Sequence, residues 1–394
     1  MNKNLHICAI TTWPPYRDGI ALYSARLYEK IAELAHIEVM ANKTEASVSN
    51  IYNDGIVVHR IWSRNNIFSL LRTFKQTLKC DAHLIHIHYG WLLYGYFSTL
   101  FIPFFLLAVR LTKRPIILTL HTVIQRDAKI YNNNILNVTA NFVIFTLTKL
   151  LTKFSCKVIV HNELMKKVLE ENYKCESEKV VIIPHGVVKA DTSYYSKNVS
   201  NGNLTFLSLG FLREEKKLEQ VIQGFYEFSK ENADAELLLV GERHPHDTGN
   251  YAEKLMKLIS ELKLEDKVHL VNFVSDKTLD QLIYGCDLII LVSTKNYFIE
   301  ASGALARMAD FGKPIICSKV PKFQGELRDG YDCFMFPPGN VDALVKTIKI
   351  LVNNRELKEK LASNLKRNFG KRYWADVAEL HLKCYCSLLR TNLK

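Results

Sequence analysis

Short runs of Val, Ile and Leu alternate with stretches of helical periodicity along almost all of the 394 residues. The first run, "LHICAIT", precedes "IALYSARLYEKIAEL", in which apolar residues recur every three to four positions. Apolar strands that alternate with helices are typical of parallel sheets covered on both faces. The further strands predicted are "HIEVM", "IVVHRIW", "AHLIHIH", "PIILTLH", "CKVIVH", "KVVIIP", "LTFLSLG", "AELLLVG", "KVHLVNF", "DLIILVS", "KPIICS" and "DCFMFP".

Two such sets of strands predict two α/β domains, each a Rossmann-like, doubly wound parallel sheet, that face each other across a cleft. A chain of 394 residues is also too long for one ordinary core. We expect residues 1–188 to form the N-terminal domain and residues 204–372 the C-terminal domain, with the polar stretch 189–203 as the linker. The C-terminal helix, about 373–394, could pack back on the first domain.

The loops that directly follow strands are the places to look for chemistry, because ligands of open parallel sheets bind beyond the carboxyl ends of the strands. Asp18 and Gly19 follow the first strand and open a helix. Glycine lets a ligand approach the backbone closely, and free helix N–H groups attract an anion. A plain aspartate cap explains the same residues equally simply.

Histidines end or occupy two other strands of the first half. His121 ends an apolar strand, where its imidazole could hydrogen-bond a substrate hydroxyl or a developing charge, or could be structural. His86 and His88 alternate along one strand and therefore face the same side. The pair lacks a third partner, so we do not expect it to bind a metal.

Two cations follow the first strand of the second half. Gly210 ends that strand, and Arg213 and Lys216 precede the next helix. Cations beside a helix N-terminus can bind a diphosphate, although a solvated Arg/Lys/Glu turn has the same pattern. Gly241 and Glu242 follow the next strand and predict a second turn that a ligand can approach closely.

A single carboxylate opens the stretch "YFIEASGALARMADFGKP". Glu300 stands just ahead of Ser302 and Gly303 and a helix-like run, and Arg307 lies about two turns further on. Glu300 could cap this helix, or it could bind a hydroxyl of a ligand. The residues alone leave both possibilities open.

The order of these motifs resembles that of the family-4 glycosyltransferases with the GT-B fold. The matching pieces are "WPPYRDGIALYS", "TLHT", "VIIPHGV", "LGFLREEKK", "LLLVGE", "VNFVSDKTLDQLIYGCDLIILVS" and "ASGALARMADFGKPIICSKVPKFQGEL". They occur in order and span nearly the whole chain. The resemblance implies a nucleotide-sugar donor on the C-terminal domain, an acceptor on the N-terminal domain, retention of anomeric configuration and no required cofactor or metal.

The resemblance also implies roles for individual residues. Gly19 would lie near the donor phosphates and, together with Asp18, near the acceptor. His121 would lie beside the transferred sugar. Arg213 and Lys216 would bind the diphosphate. The remaining donor-binding residues implied are Gly210, Gly241, Glu242, Glu300, Ala301, Ser302, Gly303 and Ala304.

Arg307 is the largest departure from the family pattern, which usually has a second glutamate there for the ribose. A guanidinium group only donates hydrogen bonds, so Arg307 cannot accept them from a ribose diol. Another acceptor must then bind the ribose, or the donor must be held mainly by its phosphates and sugar.

The implied function is a retaining glycosyltransferase that moves a sugar to a glycan or lipid-linked acceptor, in polysaccharide or glycolipid synthesis. Two alternatives remain. One is a phosphorylase on the same fold, which would use inorganic phosphate, and the other is a non-catalytic protein that binds sugar nucleotides. The missing second glutamate favours the latter.

The net charge of +12 is concentrated in the first half. Residues 1–190 contain 23 Lys and Arg and 13 Asp and Glu, a net of +10, against 29 and 27, a net of +2, in residues 191–394. No motif for reading nucleic acid accompanies this charge, so an anionic membrane surface is the expected partner. The uncharged segment Tyr89–Val109 is nearly long enough to span a membrane, but Gly90, Gly95 and Pro103 interrupt it. A buried connector or a helix that dips into the membrane face therefore fits better than a true span.

The nine cysteines form no paired framework, and no secretory leader is recognisable at the N-terminus. These features predict a cytoplasmic location, with peripheral attachment at the inner face of the membrane as the alternative.

Overall fold

The computed structural model describes residues 5–44, 50–53, 55–191, 204–243, 249–272 and 274–392. Most of the expected linker, residues 192–203, lies outside the described residues. The chain divides into two compact units. Unit 1 comprises Met1–Gly186, Tyr297–Ala301 and Trp374–Lys394, and unit 2 comprises Val187–Asn296 and Ser302–Tyr373.

Unit 1 is built on an eight-stranded sheet with the strand order β3-β4-β2-β1-β5-β6-β8-β9. All neighbouring strands are parallel except β3, which runs antiparallel to β4 at the edge. The sheet strands are β1 (His6–Thr11), β2 (His36–Asn42), β3 (Asn50–Asn53), β4 (Ile56–Trp62), β5 (Leu84–Tyr89), β6 (Ile116–Leu120), β8 (Lys157–Val160) and β9 (Val180–Ile182).

Helices cover this sheet, and all except the last are crossover connections between strands. They are α1 (Gly19–Ile31), α2 (Ile67–Lys79), α3 (Tyr96–Arg110), α4 (Asn134–Phe154), α5 (Glu163–Tyr173) and, from the end of the chain, α13 (Trp374–Asn392). A small antiparallel ribbon joins β7 (Thr122–Ile124) to β14 (Phe298–Glu300).

Unit 2 contains a six-stranded, all-parallel sheet with the order β12-β11-β10-β13-β15-β16. Its strands are β10 (Thr205–Leu209), β11 (Glu236–Val240), β12 (Val268–Val271), β13 (Leu288–Leu291), β15 (Ile315–Ser318) and β16 (Phe334–Phe336). Its helices are α6 (Glu219–Ser229), α7 (Tyr251–Glu261), α8 (Asp276–Gly285), α9 (Gly303–Met308), α10 (Pro321–Gln324), α11 (Val341–Val352) and α12 (Arg355–Phe369).

The structure confirms the prediction of two α/β domains with parallel sheets. Each of the thirteen strands predicted from the apolar runs is present. The sequence pattern missed β3, β7 and β14, which have three or four residues each and therefore show no recognisable alternation. The omission of β14 matters, because this strand and its Glu300 belong to unit 1, although the residues before and after it in the sequence belong to unit 2.

Candidate active site

Asp18 is the N-cap of α1, and its side chain is nearly buried. Its Oδ1 atom accepts hydrogen bonds from the amide of Ala21 at 2.6 Å and from the hydroxyl of Thr12 at 2.9 Å. Burial raises the pKa of the Asp18 carboxyl, and these two hydrogen bonds oppose that rise. Asp18 therefore has a structural function that accounts for its position, whatever else binds there.

Gly19, the next residue, is the first of α1 and faces open space. A Cβ atom built at this position meets no other atom within 4 Å. The described protein therefore does not require glycine at this position. The open space beside the Gly19 backbone can admit a group of a ligand.

Three buried histidines form a hydrogen-bonded row at the carboxyl ends of β5, β6 and β8. His88 Nδ1 lies 2.9 Å from His121 Nε2, and His121 Nδ1 lies 3.2 Å from His161 Nε2. Tyr28 ends the row on one side, with its hydroxyl 2.8 Å from His88 Nε2, and the carbonyl of Ile183 ends it on the other, 3.0 Å from His161 Nδ1. We call Tyr28, His88, His121, His161 and the Ile183 carbonyl the histidine chain.

The direction of every hydrogen bond in the histidine chain follows from its carbonyl end. A carbonyl only accepts, so His161 carries its proton on Nδ1 and accepts from His121 through Nε2. His121 in turn carries its proton on Nδ1 and accepts from His88, which accepts from the Tyr28 hydroxyl. Burial lowers the pKa of His161 to about 4 and lowers the pKa of His121 well below its usual value, so neutral rings are favoured.

His121 has the structural role that was one of its two possible roles. Both of its ring nitrogens are occupied within the histidine chain, and its side chain is 9% exposed. To bind a substrate hydroxyl through a ring nitrogen, His121 would have to open one of these bonds. His86 and His88, in turn, are linked through the Tyr28 hydroxyl, which lies 2.7 Å from His86 Nδ1.

The C-terminal helix α13 extends this buried polar region. The hydroxyl of Tyr385 lies 2.7 Å from His86 Nδ1, and His381 Nε2 lies 3.4 Å from the hydroxyl of Tyr23. Burial lowers the pKa of His381 to about 4. The end of the chain thus completes a network that starts in the first helix.

Glu300 ends β14, which pairs with β7, the strand that directly follows His121. It is the register partner of Thr122, the residue after His121, and the Thr122 hydroxyl donates to Glu300 Oε2 at 3.4 Å. Glu300 is not the helix cap that was one of its two possible roles. The N-cap of α9 is Ser302, whose hydroxyl accepts from the amide of Leu305 at 3.3 Å.

The turn after β10 in unit 2 is built from two closely packed glycines. Gly210 has a φ angle of +146°, and a Cβ atom on Gly241 would lie 1.9 Å from the Gly210 carbonyl oxygen. The contact between these strand ends therefore requires glycine at position 241. Glu242 holds the same turn through its carbonyl, which accepts from the amide of Leu212 at 2.9 Å.

Cations surround this turn. A Cβ atom on Gly210 would lie 3.6 Å from Lys216 Nζ, so the lysine side chain lies over the glycine, and Lys216 lines a small pocket with residues 208–212. Glu215 Oε1 lies 3.1 Å from both Arg213 Nη1 and Lys295 Nζ. The sequence missed Lys295, although it follows β13 by four residues and a search for cations after strands would have found it.

The backbone amides at the start of α9 are only partly available. The amide of Ser302 donates to Glu326 Oε2 at 2.9 Å, and the Glu326 side chain is fully buried. This amide can donate to a phosphate only if its bond to the carboxylate opens, and the donor-binding role implied for Ser302 stays a prediction. Ala301, Gly303 and Ala304 lie on either side of it, at the junction of the ribbon and α9.

Arg307 anchors α9 to α8. Its Nη2 atom forms an ion pair with Asp280 and lies 3.8 Å from the Asp276 carboxylate. Its Nε and Nη1 atoms are buried and have no hydrogen-bond partner among the described residues. Asp276 is 71% exposed and is thus the accessible hydrogen-bond acceptor next to the arginine.

Unit 1 carries an extensive apolar surface on α2, α3 and α4. Sixteen of the twenty-two exposed large apolar side chains among the described residues lie between Ile67 and Phe142. Phe68, Phe97, Phe104 and Phe142 are each at least 63% exposed. We call the exposed side of these three helices the apolar face. Soluble monomers rarely expose a contiguous patch of this kind without a binding partner.

The positive charge of the first half is concentrated in the same segment. Residues 60–154 contain twelve Lys and Arg and two Asp, a net of +10, so the remainder of residues 1–190 is neutral overall. Exposed cations at the ends of the three helices include Lys79, Arg110, Lys113 and Lys153.

Among the described residues, one helix is long and apolar enough to cross a membrane, judged by length and composition alone. It is α4, and 28% of its most apolar stretch is buried. The helix follows β7 and precedes β8, and β8 pairs with β6 in the sheet. The helix also packs against α3 and α5 and is therefore part of the fold of unit 1.

Two family models match the sequence and together cover most of it. Residues 17–190 match "Glycosyltransferase Family 4", and residues 193–368 match "Glycosyl transferases group 1". An uncharacterized glycosyltransferase of Methanocaldococcus jannaschii is 22% identical over 287 residues, which are 69% of each chain. An alpha-D-kanosaminyltransferase of Streptomyces kanamyceticus is 23% identical over 158 residues, 40% of this chain and 39% of the relative.

Solved structures share the fold over the full length at low identity. HepE from Anabaena in complex with UDP-glucose has a TM-score of 0.72 and 17% identity, covering 98% of this chain and 99% of its own. Sucrose-phosphate synthase from Thermosynechococcus elongatus has a TM-score of 0.77 and 16% identity, covering 98% of this chain and 100% of its own. These likenesses establish the same overall fold.

Proposed function

The chain belongs to the family-4, group 1 glycosyltransferases with the GT-B fold, and we propose that it transfers a sugar, with retention of configuration, from a nucleotide-sugar donor to a glycan or lipid-linked acceptor. The resemblance inferred from the strand-end motifs is thereby confirmed at the level of family, fold and enzyme class. The donor, the stereochemistry and the acceptor are proposals that rest on the geometry described above.

We place the donor diphosphate at the turn after β10. The observation that carries this assignment is the approach of Lys216 to Gly210, with Arg213 and Lys295 held nearby by one carboxylate. A backbone without side chains at Gly210 and Gly241 allows phosphate oxygens to come close to it. The complexes of HepE with UDP-glucose and with UDP support a nucleotide sugar as the ligand.

The reaction requires stabilisation of two charges. As the bond between the sugar and the diphosphate breaks, negative charge grows on the leaving phosphate oxygen and positive character on the anomeric carbon. Lys216 and Arg213 stabilise the first charge, and a preorganised group of this kind contributes about 3 kcal/mol. We propose that the leaving oxygen takes the acceptor proton, so that neither a carboxylate nucleophile nor a metal is needed.

Glu300 and His121 are assigned to the sugar. Glu300 ends β14, and His121 directly precedes β7, which pairs with β14. Glu300 accepts hydrogen bonds from sugar hydroxyls, and the histidine chain holds His121 in one neutral tautomer, which keeps an additional positive charge away from the anomeric carbon.

A screen of nucleotide sugars tests the proposal. The cognate donor raises the melting temperature by mass action and is hydrolysed slowly or transferred when an acceptor is added, without Mg²⁺ or Mn²⁺. Release of a sugar phosphate in the presence of inorganic phosphate alone would identify a phosphorylase. Binding of a nucleotide sugar without any turnover, across a panel of acceptors, would identify a non-catalytic binding protein.

We further propose that the acceptor is membrane-linked and that the apolar face lies on an anionic membrane surface. Apolar side chains on α2, α3 and α4 can enter the interface, and the cations at the helix ends can contact lipid phosphates. For the segment Tyr89–Val109, which contains most of α3, this combination favours a helix that dips into the membrane face over a buried connector. It also supports attachment at the inner, anionic leaflet.

Flotation with lipid vesicles tests this surface. The protein should float with vesicles that contain phosphatidylglycerol at low salt, and less with pure phosphatidylcholine. The triple variant Phe97→Ser/Phe101→Ser/Phe104→Ser should bind at least about tenfold more weakly, since burial of one phenylalanine is worth about 1.5–3 kcal/mol. The matched control Met256→Ser/Tyr331→Ser/Ile350→Ser removes exposed apolar groups of unit 2 and should bind like the wild type. Failure of the wild type to float at low salt would contradict the proposal.

A further inference from the structure

The opposite, amino-terminal edge of the unit 1 sheet holds a second group of histidines. His6 begins β1 and His36 begins β2, and the two residues are register partners with ring centroids 4.6 Å apart. Glu38 lies two residues along β2, on the same face as His36. One donor atom from each of the three side chains lies within 4.8 Å of the others, and no other group of three among the described residues meets this spacing.

Two distances around His6 are close to those of a metal site. His6 Nε2 lies 3.1 Å from Glu38 Oε1 and 3.7 Å from the thiol sulfur of Cys80, at the end of α2. In a tetrahedral zinc site, the usual metal–ligand bond lengths place neighbouring nitrogen and oxygen ligands about 3.3 Å apart and nitrogen and sulfur ligands about 3.6 Å apart. The Cys80 sulfur lies outside the spacing that His6, His36 and Glu38 share, so it has to move towards them to become a fourth ligand.

Further residues hold the carboxylate in place. His59 Nε2 lies 3.0 Å from Glu38 Oε2, the oxygen that does not face His6. Metal-binding carboxylates and histidines usually have such outer hydrogen bonds, which orient the ligand. The side chains of His6 and Glu38 are each 16% exposed, so an ion can reach the site while most of its surroundings stay protein.

We propose that His6, His36, Glu38 and Cys80 bind one divalent transition metal ion of the Zn²⁺ type. Imidazole, carboxylate and thiolate together are a ligand set that suits Zn²⁺. The ion would tie β1, β2 and the end of α2 together, and its binding would stabilise the fold. The site lies at the far end of β1, roughly 20 Å from the carboxyl edge for a strand of this length. It is therefore independent of the transferase site and makes no contribution to the transfer step.

Metal binding to the full-length protein tests the proposal. Protein dialysed against a chelator and then against buffer should bind one equivalent of Zn²⁺ per chain in a competition titration, and its melting temperature should rise. Glu38→Gln and His36→Ala should each weaken binding at least about a hundredfold, and His59→Ala about tenfold, as is usual for an outer hydrogen bond. His269→Ala, which removes a histidine from β12 of unit 2, is the matched control and should bind like the wild type.

Co²⁺ provides a spectroscopic test of the ligands. It should give the intense visible absorption of a tetrahedral site, with a thiolate charge-transfer band that is absent in Cys80→Ser. Cooperative melting of each metal-free variant checks its folding, and the partly exposed His59 supplies a second variant if His36→Ala does not fold. Absence of stoichiometric Zn²⁺ binding by the wild type, or equal affinity in the wild type and Glu38→Gln, would overturn the proposal.

Discussion

The two units share a parallel-sheet architecture but differ in what they place at the carboxyl ends of their strands. In unit 1 these ends carry neutral rings and hydroxyls that hydrogen-bond one another, as in the row from Tyr28 to His161. In unit 2 they carry ionic groups, with Arg213 and Lys295 on either side of Glu215. The first arrangement suits a group without net charge, such as a sugar, and the second suits an anion, such as a diphosphate.

Gly241 of unit 2 and Gly19 of unit 1 also differ in what surrounds their backbone. Gly241 is required by the backbone of unit 2 itself, because its Cα lies against the Gly210 carbonyl. Gly19 of unit 1 faces open space. Packing thus requires the glycine after a strand of unit 2, whereas the glycine after a strand of unit 1 leaves space for a ligand. The sequence does not distinguish these two cases, and the structure does.

The largest expected effect concerns this pair of glycines. Gly241→Ala should lower the free energy of unfolding of unit 2 by roughly 4 kcal/mol, since backbone must shift to admit a methyl group 1.9 Å from an oxygen. Gly19→Ala should change stability by less than about 0.5 kcal/mol, because alanine is a good helix former and meets nothing there. Urea unfolding of both variants measures the difference, and equal destabilisation would remove the distinction.

Removal of a cation from unit 2 should have the next largest effect. Lys216→Ala should reduce the transfer rate at least about a hundredfold with folding intact, because one charged donor to the leaving phosphate is lost. Lys254→Ala is the matched control, since this lysine pairs with Glu219 and Glu214 and should not bind the donor. Near-wild-type activity of Lys216→Ala would exclude the lysine from the diphosphate site.

Acid should distinguish the units, because unit 1 buries a network of neutral histidines and the described residues of unit 2 contain no such network. His161 and His381 have a pKa of about 4 when folded and about 6.5 when unfolded, so the unfolded state binds more protons between these values. Stability of unit 1 is thus complete above pH 6.5 and falls as pH drops towards 4, by up to about 1.4 kcal/mol per pH unit for each histidine.

Hydrogen exchange in urea at pH 7.5 and 5.5, corrected for intrinsic rates and resolved by peptide, measures this loss separately in each unit. Peptides from β5, β6 and α13 should lose protection at the lower pH, and peptides from β10 and β11 should lose less. A uniform loss across both units would contradict neutral histidines in unit 1.

The smallest expected effect concerns ribose recognition beside Arg307. We expect Asp276→Asn to weaken nucleotide binding about tenfold, because Asp276 is the exposed acceptor next to the arginine and a charged hydrogen bond is lost. Asp266→Asn, an exposed aspartate before β12, is the control. Unchanged affinity would mean that the donor is held through its phosphates and sugar.

Much of the fold could be predicted from sequence because buried parallel strands leave long apolar runs. The cations after β10 and the carboxylate Glu300 could also be selected, since both stand near strand ends. The position of Glu300 next to Thr122 could not, because a three-residue strand that pairs with a segment about 170 positions away has no local signal. The engagement of both His121 nitrogens was equally hidden, since it depends on partners from β5 and β8.

The path of the chain through Tyr297–Ala301 and Trp374–Lys394 also limits how this protein can be divided or recombined. The boundaries at 186, 296, 301 and 373 interleave the two units, so no single cut separates them. A chimaera must exchange three segments together to replace unit 1, or two segments to replace unit 2. A chain shortened by its final helix would lack both Tyr385 and His381, and with them the polar contacts that close the interior of its first half.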